Sequence, residues 1–195
     1  ACIIRGGCGV RLETLSITAG GRALTEWQSI EIEAGVDQAV RTAVLQMHPS
    51  ATPPWPDEKA LISANGSVIL TGYVRDVSPS WEEEGYSVRV TFVSRTVDAV
   101  EASIVHATGF VKDKTLAAIA DAFDSCGVGV DAEGAFEVQD RHQIVPGESL
   151  YSTLEPLARA EGAMIYDTPG GRLRITNKAG SAHAGGLAVG VNIIS

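Results

Sequence analysis

SVILTGYVRDVSPSWEEEGYSVRVTFVSR, residues 67–95, holds two strand-like runs and a turn between them. SVILTGYVRDV and YSVRVTFVSR are rich in Val, Ile, Thr and aromatic residues and alternate with a period of two, the signature of strands with one buried face. Between them Glu82, Glu83 and Glu84 follow Trp81. On an extended segment consecutive side chains point to alternate faces, so these carboxylates do not converge on a cation and the run reads as a solvated hairpin tip.

Working toward the N-terminus, the same texture continues. LSITA (15–19) precedes the turn pair Gly20-Gly21, and WQSIEIEA (27–34) and VRTAVLQM (40–47) follow. In WQSIEIEA, Ile30 and Ile32 fall on one face, with Ser29, Glu31 and Glu33 on the other, as in a half-buried strand. HPSATPPWP (48–56) has four prolines in nine positions and is therefore a loop projecting from the sheet, since proline removes a ladder donor. Successive short strands with one wet face predict an antiparallel barrel or sandwich from about residue 10 to 100.

Beyond Val100 the period changes. In KDKTLAAIADAFDSCG (112–127), Leu116, Ile119, Ala120 and Phe123 form one apolar stripe. This predicts a helix capped by Asp113 and ended by Gly127, with Phe123 buried. VGV (128–130) and AFEVQ (135–139) read as short strands. A second helix is predicted from Gly147-Glu148-Ser149 to about Ala160, with Leu150, Leu154, Leu157 and Ala158 inward and Pro156 kinking it or delaying its start. AMIYDT and RLRIT, joined by Pro169, Gly170 and Gly171, predict a hairpin over 163–176. KAGSAHAGGLAVGVNIIS (178–195) reads as a linker into a further strand.

The chain has 195 residues and 20.4 kDa, with 45% hydrophobic and 20% charged residues. A chain of this mass buries about 70% of its surface on folding, which excludes extensive disorder. No apolar run is long enough for a membrane span, and the N-terminus has no secretory pattern. A net charge of −9 disfavours phosphate-backbone binding as the main activity. Cys2, Cys8 and Cys126 read as reduced thiols of a protein made in a cytosol. With His48, His106, His142 and His183 they form no metal-ligand spacing. No G-x-S-x-G elbow or phosphate-binding glycine loop is present. Trp27, Trp55 and Trp81 read as core anchors or partner contacts.

Residues 67–103, SVILTGYVRDVSPSWEEEGYSVRVTFVSRTVDAVEAS, are similar in order and spacing to the first domain of the Mu-type tail hub (gpP-like) family of phage baseplates. The matching positions are Thr71, Gly72, Tyr73, Val74, the Asp76-Val77-Ser78-Pro79 turn, Ser94, Arg95, Thr96, Asp98, Val100 and Ser103. TLAAIADAFDSCGVGV and VPGESLYSTLEPLARAEGAMIYDTPGGRLRIT resemble the family's second half, and the opening strands from Leu15 to Met47 resemble its start. The likeness covers about residues 12–176 and extends to the T-even-type hub and the N-terminal part of type VI secretion spike proteins. Ala99 stands where the family has leucine, and Pro156 where it has a basic or polar residue.

The fold expectation is mainly β with α+β: an antiparallel β-barrel-like domain followed by a smaller α+β domain with two helices. The division is 1–100 for the barrel-like hub domain, 101–176 for the α+β domain, and 177–195 for a Gly/Ala-rich linker or strand leading to a further, absent domain. The resemblance implies a structural component of a phage or prophage-derived tail baseplate. Three chains, each with two barrels, would form a hub ring that joins the tail tube to the tail spike and surrounds the DNA channel. It implies a homotrimer in the virion, made in the host cytoplasm, with DNA only as passing cargo. No catalytic, metal or cofactor site is expected. The alternatives are a carbohydrate- or receptor-binding β-module using Trp55 and Trp81, or an enzyme with paired carboxylates about 5–10 Å apart.

Overall fold

A computed structural model describes residues 2–3, 12–35, 38–82 and 85–178. The first part is strands: β1 (Cys2–Ile3), β2 (Leu12–Glu13), β3 (Leu15–Ala19), β4 (Arg22–Ala23), β5 (Trp27–Glu33), β6 (Thr42–Met47), β7 (Lys59–Ala64), β8 (Ser67–Glu82) and β9 (Gly85–Ser94). A short helix, α1 (Val97–Glu101), opens the second part. There follow β10 (Phe110–Thr115), α2 (Leu116–Phe123), β11 (Val130–Glu133), β12 (Val138–Gln143), α3 (Leu150–Ala160), β13 (Met164–Asp167) and β14 (Leu173–Thr176).

Seven strands form one antiparallel sheet in the order β4-β3-β7-β8-β9-β6-β5. It curls into a half-barrel, and the two ends of the order stay apart, so the barrel-like domain expected from sequence is an open one. Register shifts at Trp27/Ser29, Ile62/Ser63 and Val74/Asp76 mark bulges, which bend a strand and raise its twist. Ile17, Leu45, Met47, Ile62, Leu70, Val74, Val90 and Phe92 fill the concave face. Ile30 and Ile32 pack against this core while Ser29, Glu31 and Glu33 are exposed, as the alternation of β5 predicts.

At Gly72 the backbones of β8 and β9 approach closely: a Cβ built there would lie 1.8 Å from the Val93 carbonyl oxygen and 2.7 Å from Ser94 Cα. Only glycine fits this contact. The turn between β7 and β8 is Asn65-Gly66, both with positive φ, 51° and 80°, as a tight hairpin requires.

A second core gathers Leu116, Ile119, Ala120, Phe123, Leu150, Leu154, Ala158, Ile165, Leu173 and Ile175. Helices α2 and α3 lie on a three-stranded sheet, β11-β14-β13, and beside a two-stranded ribbon, β10-β12. The 163–176 hairpin forms as predicted, and β14 also pairs in parallel with β11.

Several local expectations change. Helix α1 was not predicted. Asp113 lies in β10 at φ 51°, so it does not cap α2. Thr115 does, its hydroxyl accepting from Ala118 N–H at 3.4 Å. The helix ends at Phe123. Asp124 then accepts from Val128 N–H (3.0 Å) and Gly129 N–H (2.7 Å), closing a turn in which Gly127 sits beyond the helix end. The strand read at VGV lies instead at Val130–Glu133, bounded by Gly129 and Gly134, both at positive φ. AFEVQ gives way to Val138–Gln143, whose bounds are set by pairing with β10. Pro156 is exposed within α3 and does not delay its start, which a Ser149/Ser152 capping box fixes at Leu150. Cys8, His183, Glu83, Glu84 and the segment 179–195 lie outside the described residues, as do the side chains of Cys2, Trp81 and Glu82.

Candidate assembly interface

The open half-barrel leaves the outer edges of β4 and β5 unpaired among the described residues. An unpaired edge offers free N–H and C=O groups to another chain. At this seam Leu15, Ile17, Leu24 and Trp27 line a cleft of about 330 Å³. Trp27, predicted to open an alternating strand, starts β5 and packs on the half-barrel core.

The proline-rich segment joins β6 to β7 and is a loop, as its composition predicts. Ala51 and Pro54 turn inward and are buried, whereas Trp55 is 73% exposed. Its backbone is held: Trp55 N–H donates to Glu58 Oε2 at 3.2 Å, and Asp57 N–H donates to the Val74 carbonyl at 2.8 Å. A large aromatic on a fixed loop is a preorganised contact, so little conformational freedom is lost when it is covered.

The two cores are joined by a polar junction that sequence reading missed. Arg41 Nη2 lies 3.3 Å from Asp167 Oδ1, with the two side chains 12% and 1% exposed. Its Nη1 donates to the Ile69 carbonyl, and its backbone N–H donates to Ser94 Oγ at 2.9 Å. Ser94 Oγ in turn lies 2.6 Å from Thr96 Oγ1. Burial pushes the Asp167 carboxyl above its ordinary range, and the opposing pull of Arg41 does not cancel this. Among the described residues Asp167 Oδ2 and Arg41 Nε have no hydrogen-bond partner. Nearby, Gly171 at φ 72° approaches so closely that a Cβ would lie 2.7 Å from the Thr71 carbonyl oxygen. Arg75 and Glu101 add an exposed bidentate pair at 2.8 and 2.9 Å between β8 and α1. The sequence signal was only that polar Arg41, Ser94 and Asp167 interrupt otherwise apolar strand ends.

Other polar features are local. Arg172 beside Asp131 holds that carboxyl below its ordinary range, and Arg174 with Lys178 does the same for Glu133. Inside the second core, His106 and His142 meet the Phe123 ring edge-on, with centroids at 5.0 and 6.0 Å. Burial pulls the His142 imidazole below its ordinary pKa. Among the described residues no group of three or more His, Cys, Asp or Glu is placed to hold a metal ion, and no helix is long and apolar enough to cross a membrane.

The chain is thus a curled, open antiparallel half-barrel followed by a small α+β unit, with sheet edges unpaired among the described residues and a protruding aromatic. Residues 96–177 match the family described as "Baseplate hub protein gp44-like, second domain". The chain is similar to the baseplate hub protein gp44 of Escherichia phage Mu, 23% identical over 196 residues, covering 93% of this chain and 50% of that protein. The likeness to Mu-type hubs read from the sequence therefore holds.

Among solved structures, the 43 kDa tail protein of prophage MuSo2 from Shewanella oneidensis superposes with a TM-score of 0.81 at 24% identity, over 94% of this chain and 59% of that one. A tail protein from Neisseria meningitidis MC58 gives 0.70 at 16% identity, over 84% and 50%. At these identities the likeness is one of fold. The chain spans about half the length of the curated relative it matches.

Proposed function

We propose that this chain is a structural component of a phage or prophage-derived tail baseplate, the part of a central hub that begins with the first barrel. The observation that carries the reading is the match of residues 96–177 to the second domain of gp44-like hubs, directly after a half-barrel whose two edges are unpaired among the described residues. In this reading residues 1–100 are the barrel-like hub domain, 101–176 the α+β domain, and 177–195 the passage toward a second barrel.

Three such chains form a ring that joins tail tube to spike and leaves a channel for DNA, without turnover of its own. The acidic balance of the chain suits a lumen through which DNA passes, because rings of Lys and Arg would hold the phosphates by counterion release. Synthesis takes place in the host cytoplasm, and the assembled protein sits in the virion tail. Edge pairing between barrels supports the ring, since an uncovered edge invites a neighbouring strand.

The test is the mass of the protein by light scattering, alone and with tail tube and spike proteins of the same phage or prophage. Threefold complexes that incorporate those proteins are expected. A persistent monomer that ignores both at high concentration would remove the hub reading.

A further inference from the structure

A cleft of about 650 Å³ lies on the convex face of the sheet, where the second lobe overhangs it. Its floor is set by strand register. Thr18, Leu61 and Thr71 stand in one row across β3, β7 and β8, and Lys59 and Tyr73 form the next row. Arg95 and Cys126 supply the far wall. Leu61 is 39% exposed there, an uncovered apolar side chain between polar neighbours.

The charge of this cleft opposes that of the chain. The protein carries 24 acidic and 15 basic residues. Arg22, Arg41, Arg75, Arg159, Arg172, Arg174 and Lys178 all have carboxylate partners within 4 Å. Lys59 and Arg95, which both line the cleft, have none among the described residues. The nearby carboxylate, Asp98, is engaged by the Tyr73 hydroxyl at 3.2 Å, and one guanidinium nitrogen of Arg95 donates to the Gly127 carbonyl. Two cations without carboxylate partners, beside an apolar floor residue and two threonines, form a site complementary to carboxylates carried on an extended backbone.

We infer that this cleft binds an acidic, extended peptide segment of another protein chain. The volume lies in the range of built ligand sites, about 300–1,000 Å³. Two cations on a partly apolar floor discriminate against nucleic acid, whose tight binding needs many phosphate contacts. The occupant is thus a protein segment with alternating acidic and small or apolar residues. The inference does not depend on the trimeric ring, because it concerns one chain and one ligand.

Fluorescence anisotropy with labelled hexaglutamate tests it on the whole chain at low salt. Hexaglutamine and a single-stranded oligonucleotide of equal charge are the comparison ligands. Hexaglutamate is expected to bind, and to slow alkylation of Cys126, which is exposed at the cleft wall, as followed by peptide mass spectrometry. Lys59→Gln should weaken binding about fivefold, the scale of one exposed charge contact, and Lys59→Glu more. Lys59 is exposed and makes no ion pair among the described residues, so its variants keep the wild-type melting temperature.

Equal binding of hexaglutamine, binding indifferent to Lys59→Glu, unprotected Cys126, or preference for the oligonucleotide would each overturn the inference. None of these outcomes bears on whether the chain forms a hub.

Discussion

Replacing Arg41 by methionine isolates the junction between the two cores. Asp167 is left 2% exposed with the cation beside it removed. Breaking a buried pair from one side costs about 3–5 kcal/mol, because the remaining charge has neither water nor a partner. Asp167 can escape by taking up a proton, which sets an independent ceiling. Holding a carboxyl of ordinary pKa 3.8 neutral at pH 7 costs about 4 kcal/mol, at about 1.4 kcal/mol per pH unit. The two figures agree.

The second route also fixes the sign of the pH dependence. A group whose folded pKa is raised is stabilising in its protonated form and loses that contribution as pH rises. The penalty of Arg41→Met should therefore be smaller at pH 5 than at pH 7, because removing the cation raises the Asp167 pKa further than burial alone does in the wild type. Urea melts of wild type and variant at pH 7, 6 and 5 measure it. The double variant Arg41→Met/Asp167→Leu should recover most of the loss, since an apolar replacement of a buried pair is often neutral or better. A penalty below about 1 kcal/mol that does not change with pH would refute the reasoning.

Three further outcomes follow from the same structure. Phe123→Ala should cost about 3–5 kcal/mol, because the ring is fully buried and bracketed by two histidines; a denaturant melt losing under about 1 kcal/mol would place it outside the core. Gly72→Ala should cost about 3 kcal/mol or more, since the new methyl group meets the backbone of β9 rather than a side chain that can move; a melting temperature equal to wild type would contradict the close approach. Because burial lowers the His142 pKa, the unfolded chain takes up the proton first as pH falls past 6.5, so stability drops on acidification; His142→Gln should flatten that part of the profile, and an unchanged slope would exclude His142 as its source.

The half-barrel was legible because its strands alternate over enough residues for periodicity to speak, and because the proline run and the Gly20-Gly21 turn punctuate them. Strand β7 escaped notice because its inward residues, Ala60, Ile62 and Ala64, are mostly small. The Asn65-Gly66 pair after it was the available signal. In the second lobe, helix positions were readable from the Leu116–Phe123 stripe, but the ends were not. Asp113 and Thr115 are both capping types, and only pairing of Lys112 and Lys114 with β12 decides between them. The proline neighbours of Trp55 placed it in a loop but left core anchor and partner contact both open, a choice that only its 73% exposure makes. The Arg41–Asp167 junction joins residues 126 apart in sequence, a separation at which one chain carries no pairing signal. The cations of the Lys59 cleft were likewise invisible, because only the folded register brings Lys59 and Arg95 to one cleft without a carboxylate partner among the described residues.

Electron cryomicroscopy of tails from the phage or prophage that encodes this chain tests the central claim most directly. The hub account predicts its half-barrel fold in three copies at the tail tip, within a ring of six barrels around an open channel, touching tube above and spike below. Its absence from the tail axis, or its presence only on peripheral fibres, would contradict the account.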